Sequence, residues 1–343
     1  MNKKNNTICF VAGHSGGHIL PSLTRAQQLL AEKKVDRILF FSTTAPLDKK
    51  IVEGNPVITK LILLSVRGVP YQKKILFPLF VAHLATAFFI SLYQLLRNKP
   101  SSIISMGGYV SLPVCLAGWL LRIPIELYEL NVEPGKAIRF LAPLAHTIWI
   151  LYPQTSHYLP AHKCQLTDYP VRFSSTTHRI SRKEALQALH FSPERKTIFI
   201  LGGSQGSVFL NTLVREWIVQ SPQFHASIQI IHQTGTHDHT DWKSFYAPLG
   251  IPAIIFNYHE NLAEFYQAAD LVVSRAGAGT LAELHFFQKQ SLIIPLETAT
   301  THHQKYNAQA FAQKNPNLFF VLPQKDTDHS ATFTTITRLL QLN

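Results

Sequence analysis

Along most of the chain, short runs of β-branched and aromatic residues alternate with longer stretches whose apolar positions recur every three or four residues. Residues 7–12 (TICFVA) read as a buried strand. Residues 19–32 read as an amphipathic helix, with Leu20, Leu23, Leu29 and Leu30 on one face and Pro21 in its first turn. Residues 37–43, 102–106 and 124–128 are further strands of the first half. The runs 197–201, 228–233, 253–256, 271–274 and 292–295 repeat the pattern in the second half, with helical stretches between them. This alternation predicts parallel sheets wrapped by helices. The 343 residues suffice for two such units, with the seam near Tyr169 and Pro170.

One stretch departs from the alternation. Residues 75–96, opening on Ile75 and closing on Leu96, carry no formal charge over 22 positions. That length suits a helix able to span a bilayer. Pro78, His83, Thr86, Ser91, Tyr93 and Gln94 interrupt its apolarity, and a spanning helix here would sever two strand-like runs of one sheet. Lys73, Lys74, Arg97 and Lys99 flank it. An apolar face rimmed by basic residues suits a helix lying in the headgroup interface of an anionic membrane. An ordinary buried helix and a true span are the other two readings.

At 46% hydrophobic and 15% charged, the composition is that of a folded chain, neither disordered nor fibrous. Cys9, Cys115 and Cys164 are too scattered for a disulfide framework or a zinc site and fit a reducing compartment. The N-terminus shows no secretory pattern, since its first apolar run breaks at Gly13. Charge is uneven: residues 1–170 hold 18 Lys and Arg against 8 Asp and Glu, whereas 171–343 hold 14 against 12. The basic first half favours an anionic partner, either nucleic acid or an anionic membrane surface.

Candidate chemistry is concentrated in three glycine-rich turns, each joining a strand to a helix. They are Gly13-His14-Ser15-Gly16-Gly17-His18, Gly202-Gly203-Ser204-Gln205-Gly206 and Arg275-Ala276-Gly277-Ala278-Gly279-Thr280. Such turns let backbone approach a ligand, and the N–H groups of the following helix attract an anion. One alone is often only a tight connection. Three at strand C-ends, spread over both halves, point to ligand sites on open parallel sheets whose domains face one another across a cleft.

A dinucleotide site needs an acid at the end of the second strand to hold ribose hydroxyls. That strand ends Phe41-Ser42-Thr43-Thr44, with no acid before Asp48, and the first turn lacks Gly-x-Gly-x-x-Gly spacing, so NAD is disfavoured. No Gly-Lys-Ser/Thr follows any turn, which excludes a P-loop. The third turn supplies an acid, Glu283, one turn into its helix. A nucleotide sugar held mainly by the second domain fits these parts. His237-Asp238-His239 with Asp241, and Asp326-Thr327-Asp328, read as solvated loops rather than metal sites, and no cofactor is implied.

Eight motifs in order, covering nearly the whole chain, then carry a resemblance. Residues 13–21 are similar to a GGTGGHxxP turn, and Gly107-Gly108-Tyr109-Val110-Ser111-Leu112-Pro113 to a GGYVSxP loop. Glu129-Leu130-Asn131 with Pro134-Gly135 falls at an HEQNxxPG stretch. Pro170-Val171-Arg172, the Gly202 turn, His232-Gln233-Thr234-Gly235, residues 275–283 and His303-Gln304-Lys305-Tyr306-Asn307-Ala308 complete the order. The chain resembles the MurG family of bacterial cell-wall glycosyltransferases.

That resemblance implies an α/β chain of the GT-B type, with two Rossmann-like domains facing across a cleft. The acceptor and membrane-associated domain would take residues 1–170 plus a C-terminal helix at about 328–343, and the UDP-GlcNAc-binding domain 171–327. The implied reaction is inverting transfer of N-acetylglucosamine from UDP-GlcNAc to the muramyl sugar of undecaprenyl-pyrophosphoryl-MurNAc-pentapeptide, lipid I to lipid II in peptidoglycan synthesis. It implies a peripheral protein of the cytoplasmic face of the cell membrane, docked through residues 75–96 and their basic flanks, with no nucleic-acid partner. Ser15, Gly16 and Gly17 would face the donor's diphosphate together with the acceptor, and Asn131 the transferred sugar or its surroundings. Arg172 and Ser204 would contact the phosphate and ribose region, and His259 falls at the uracil contact. Ala278, Gly279, Thr280, Leu281, Ala282 and Glu283 would form the phosphate turn, with Glu283 on the ribose and Gln304 at the sugar hydroxyls. His14, Gly107, Gly108 and Tyr109 fall on the acceptor side.

The sequence departs from the family pattern at four places. The second glycine of the first turn is His14 and its threonine Ser15, His-Glu-Gln-Asn is Tyr128-Glu129-Leu130-Asn131, Tyr169 replaces an Asn, and Thr301-His302 precede His303-Gln304 where an acid is usual. Displacement at the anomeric carbon needs a base. His18 is the first candidate, since a neutral imidazole with a pKa of about 6.5 accepts a proton at neutral pH. Glu129 is the second, and both also have structural readings. Another lipid acceptor, and an inactive UDP-sugar-binding peripheral protein, are the alternatives.

Overall fold

A computed structural model describes residues 6–66, 77–173, 180–203, 205–297, 303–326 and 329–342. The chain forms two compact units, Met1–Arg172 and Phe173–Asn343. Each is built on a wholly parallel sheet.

The first unit has seven strands: β1 (Thr7–Val11), β2 (Arg37–Thr43), β3 (Lys60–Leu64), β4 (Ser102–Ser105), β5 (Ile125–Glu129), β6 (Thr147–Ile150) and β7 (Cys164–Leu166). Their order is β3-β2-β1-β4-β5-β6-β7. Both faces are covered, which is why β1 reads as a continuous apolar run and is buried along its length. The helices are α1 (Gly16–Ala31), α2 (Pro46–Val52), α3 (Phe77–Asn98), α4 (Ser111–Leu120) and α5 (Lys136–Leu141). Right-handed crossovers put α1 and α2 on one face and α3, α4 and α5 on the other. The strand order reverses between β1 and β4, which opens a crevice at their C-terminal ends. Helix α1 begins at Gly16, earlier than its apolar periodicity suggests, so Pro21 lies in the second turn rather than the first.

Helix α3 is long and apolar enough to cross a membrane by length and composition alone. Ala87, Ser91 and Leu95, spaced four apart, are nevertheless buried against the domain, with Phe88 and Leu92 packed beside them. Phe77, Leu79, Val81, Phe89, Ile90, Tyr93 and Leu96 are exposed on its other sides. It is therefore a surface helix with one face in the core, which neither a free span nor a buried helix matches. Lys73, Lys74 and Ile75 lie outside the described residues. Arg97 donates to the Tyr93 hydroxyl at 3.0 Å.

The second unit has six strands: β8 (Lys196–Leu201), β9 (Ile228–Gln233), β10 (Ala253–Phe256), β11 (Leu271–Ser274), β12 (Ser291–Ile293) and β13 (Phe319–Val321), in the order β10-β9-β8-β11-β12-β13. The reversal here falls between β8 and β11. Its helices are α6 (Arg182–Ala188), α7 (Val208–Gln220), α8 (Trp242–Tyr246), α9 (Ala263–Ala268), α10 (Ala278–Phe286), α11 (His303–Lys314) and α12 (His329–Leu340). One correction concerns α12. The expectation assigns it to the first domain, but Phe333, Ile336, Leu339 and Leu340 are buried with Trp217, Val214 and Ile230 in the second. Trp217 Nε1 also donates to Thr337 Oγ1 at 3.4 Å. Burying that apolar stripe on α7 outweighs any other docking of the helix.

Candidate functional site

Each unit sets glycine-rich turns at its own point of strand reversal. In the first unit the turn after β1 and the turn after β4 meet around His18. Its Nδ1 lies 3.3 Å from the Gly13 carbonyl oxygen and 3.3 Å from Ser15 Oγ. A carbonyl can only accept, so Nδ1 carries the hydrogen and the lone pair resides on Nε2. The opposite wall is Gly107 and Gly108: a Cβ on Gly107 would stand 3.8 Å from Nε2, and one on Gly108 3.7 Å from Nδ1. Ser105 and Ser111 fix that wall, Ser111 Oγ donating to the Gly107 carbonyl at 2.7 Å. Ser15 is the residue before α1, and Gly16 and Gly17 begin it, where amides have no partner within the helix.

Beneath this turn lies a residue that sequence reasoning passed over. Asp48 on α2 is buried, accepts the His14 N–H at 2.8 Å and accepts the Thr43 hydroxyl. Gly13 leaves it room, since a Cβ there would fall 2.7 Å from Thr43 Cγ2. His14 itself has φ +69 and meets Tyr109 edge-on, with ring centroids 5.5 Å apart. The signal for Asp48 was an acid shortly after the second strand, noted only for its failure to fit a ribose.

Glu129, the second candidate base, has another task. It is buried at the end of β5; Oε1 accepts from the backbone and side-chain nitrogens of Asn131 at 2.9 and 3.0 Å, and Oε2 from the Gly135 N–H at 2.9 Å. Burial raises its pKa, and these donors oppose the rise. The carboxylate thus braces the loop 130–135. Asn131, partly exposed, is held by it.

In the second unit the turns after β8 and β11 flank the reversal. Ser204 lies outside the described residues. Gly206 (φ +76) touches the next turn: its Cβ would stand 2.4 Å from the Thr234 carbonyl oxygen, so no side chain fits. Arg275, buried at the head of the third turn, ties three strand ends together. It donates to Ser207 Oγ (3.1 Å), the Ile294 carbonyl (3.0 Å) and Gln324 Oε1 (2.8 Å), and burial lowers its pKa to about 10. Gln304 Oε1 accepts from Ala276 N (3.3 Å) and Leu296 N (3.0 Å), which sets it beside the same turn.

Ala278, Gly279 and Thr280 open α10. Leu281 donates its N–H to the Gly277 carbonyl and, like Ala282, buries its side chain. Glu283, partly exposed, accepts from the hydroxyl of buried Tyr266 at 2.9 Å. His259 lies on the loop after edge strand β10, exposed, its Nδ1 2.7 Å from the Asn261 carbonyl. Arg172 is exposed at the end of the first unit. Asp238 accepts from Asn211 Nδ2 (2.7 Å) and Thr240 N (2.9 Å), and Asp241 caps α8, structural roles for the histidine-rich loop.

Family models account for both units. Residues 8–150 match the glycosyltransferase family 28 N-terminal domain, and residues 197–341 its C-terminal domain. The chain belongs to glycosyltransferase family 28. This family 28 chain is 30% identical, over 91% of its own length and 79% of the relative's, to the UDP-N-acetylglucosamine--N-acetylmuramyl-(pentapeptide) pyrophosphoryl-undecaprenol N-acetylglucosamine transferase of Myxococcus xanthus. It is 32% identical to the protein of the same name from Thermodesulfovibrio yellowstonii, over 88% and 81% of the two chains. Among solved structures, MurG of Acinetobacter baumannii shares its fold with a TM-score of 0.75 at 23% identity, over 98% of this chain and 91% of that one. UDP-GlcNAc 2-epimerase from Neisseria meningitidis, bound to UDP-GlcNAc, shares it more distantly, with a TM-score of 0.57 at 13% identity over 98% and 100%.

The structure also sorts this family 28 chain's departures from the pattern. Tyr128 and Leu130 are buried, Tyr128 against Trp149 with ring centroids 6.0 Å apart, so they substitute packing groups. His14 is exposed at the first turn.

Proposed function

We propose that this chain is an inverting hexosyltransferase that moves N-acetylglucosamine from UDP-GlcNAc to the muramyl sugar of undecaprenyl-pyrophosphoryl-MurNAc-pentapeptide, completing lipid II for peptidoglycan. The observation that carries the reading is the match of both domains to family 28, joined to relatives 30% and 32% identical that bear this activity in their names.

The second domain takes the donor. The diphosphate sits at the N-termini of α7 and α10, where unbonded amides and the helix dipoles favour negative charge. Glu283, held by Tyr266, accepts from the ribose hydroxyls, and Gln304 and Arg172 complete the contacts. The first domain takes the acceptor at the crevice of Ser15, Gly16, Gly17, His18, Gly107, Gly108 and Tyr109, with Asn131 beside it. The acceptor hydroxyl attacks the anomeric carbon, its proton passes to His18 Nε2, and the bond to the diphosphate oxygen breaks with both electrons leaving on UDP. Inversion follows from this single displacement, and the two helix N-termini stabilise the departing charge.

The lipid substrate requires the chain to work at a membrane, on its cytoplasmic face. The exposed apolar sides of α3 and the positive charge of the first half suit docking on anionic lipid. The test is a transfer assay with UDP-GlcNAc against lipid I and against diacylglycerol, scored by product mass. Product from lipid I alone supports the reading; product only from diacylglycerol, or UDP-GlcNAc binding without product, refutes it.

A further inference from the structure

We infer that His14 is the residue through which this chain reads its acceptor, its imidazole donating to the pyrophosphoryl oxygens beside the muramyl sugar while Tyr109 holds the ring; the inference rests on the transferase reading above. A non-glycine residue at φ +69 is in a conformation that glycine adopts freely and others resist. Neighbouring groups hold this turn in place. Asp48, buried on α2, takes the His14 N–H, Thr43 binds the same carboxylate, and Gly13 leaves them space. The bond to Asp48 uses the backbone N–H, which glycine at this position would offer equally. What histidine adds is its side chain.

That side chain is exposed at the crevice, edge-on to Tyr109 at 5.5 Å and 89°. Among the described residues no hydrogen bond engages its ring nitrogens. Asp48 meanwhile takes the backbone N–H of residue 14 and sets a carboxylate directly beneath the turn. With that N–H committed to Asp48, the imidazole N–H is the donor residue 14 can offer an anion. Tyr128 and Leu130 are buried, whereas His14 stands exposed at the crevice.

The experiment is calorimetric titration of the full chain, wild type, His14→Gly and His14→Asn, with farnesyl diphosphate, with farnesol and with UDP. Glycine accepts φ +69 without strain, so His14→Gly keeps the wild-type melting temperature. Its farnesyl diphosphate affinity falls about three- to tenfold, the scale of one exposed hydrogen bond to an anion. UDP affinity is unchanged, and Asn, which tolerates this backbone and keeps an N–H donor, gives an intermediate value. Equal affinity of wild type and His14→Gly, a parallel loss for farnesol or UDP, or no binding of farnesyl diphosphate by wild type overturns the assignment. A wild type that binds the diphosphate but yields no lipid II sinks the transferase reading and leaves His14 in place as an anion contact.

Discussion

Gly206 and Gly235 meet backbone to backbone, so closely that a Cβ on Gly206 would stand 2.4 Å from Gly235 Cα and one on Gly235 2.1 Å from the Gln205 carbonyl oxygen. The turns after β8 and β9 are thereby locked together. Gly235→Ala combines that overlap with φ +82 and should destabilise the second domain by roughly 3 kcal/mol. Gly203, also at φ +85, has nothing within 4 Å of its Cβ position. Gly203→Ala should cost only about 1 kcal/mol of stability while weakening UDP binding. Denaturant melts and UDP titrations of the two variants check the contrast; equal stability losses would refute it.

His18→Ala should lower turnover by roughly 10²–10⁴ with UDP affinity unchanged. The reason is that His18 Nε2 faces Gly107 in the first unit, while the donor turns belong to the second. Steady-state kinetics with both substrates varied would show it. A loss below tenfold would remove the base assignment.

Stability should fall with acid through His232. It is fully buried at the end of β9; Nε2–H donates to Asn211 Oδ1 at 3.0 Å, and Nδ1 accepts from Tyr246 OH at 2.9 Å. Burial lowers its pKa to about 3. An unfolded imidazole binds a proton near pH 6.5, so between these values protons favour the unfolded chain. Stability contributed by this group is complete above pH ~6.5 and declines by at most ~1.4 kcal/mol per pH unit below it. Melting curves of wild type and His232→Gln from pH 7 to 4 should converge as the pH drops; a constant gap would contradict the assignment.

Membrane association should depend on the outward side of α3. Phe89 is 65% exposed and its neighbour Phe88 packs on the core, so Phe89→Asp should leave the fold intact. Sedimentation with anionic phosphatidylglycerol vesicles should show binding weakened at least about tenfold, the scale of one aromatic side chain leaving an apolar phase. Unchanged binding would move the docking surface elsewhere.

Removing the Glu129 carboxylate should act on the loop and only secondarily on the reaction. Glu129→Ala leaves the Gly135 N–H and the Asn131 backbone N–H without their acceptors and should cost about 2–3 kcal/mol in stability. Glu129→Ala should keep a measurable turnover at low temperature, where the first domain stays folded. Complete inactivity with an unchanged melt would instead return Glu129 to the chemistry.

The amino-acid pattern alone determined the two α/β units, most of the central strands and the three glycine turns. These are local signals: apolar runs of strand length, amphipathic periodicity, and residue types that only certain turns accept. Strands Lys60–Leu64, Thr147–Ile150, Cys164–Leu166 and Phe319–Val321 escaped it; all lie at or beside a sheet edge and are only partly buried. Only the tertiary structure decided which side of a residue meets what. It turned Glu129 into a brace, buried Leu281 and Ala282, packed α12 on the second sheet and set Asp48 beneath His14. Those outcomes depend on partners 34 or more residues away in several cases, as His14 and Asp48 are, and on competition for buried space that no local pattern encodes.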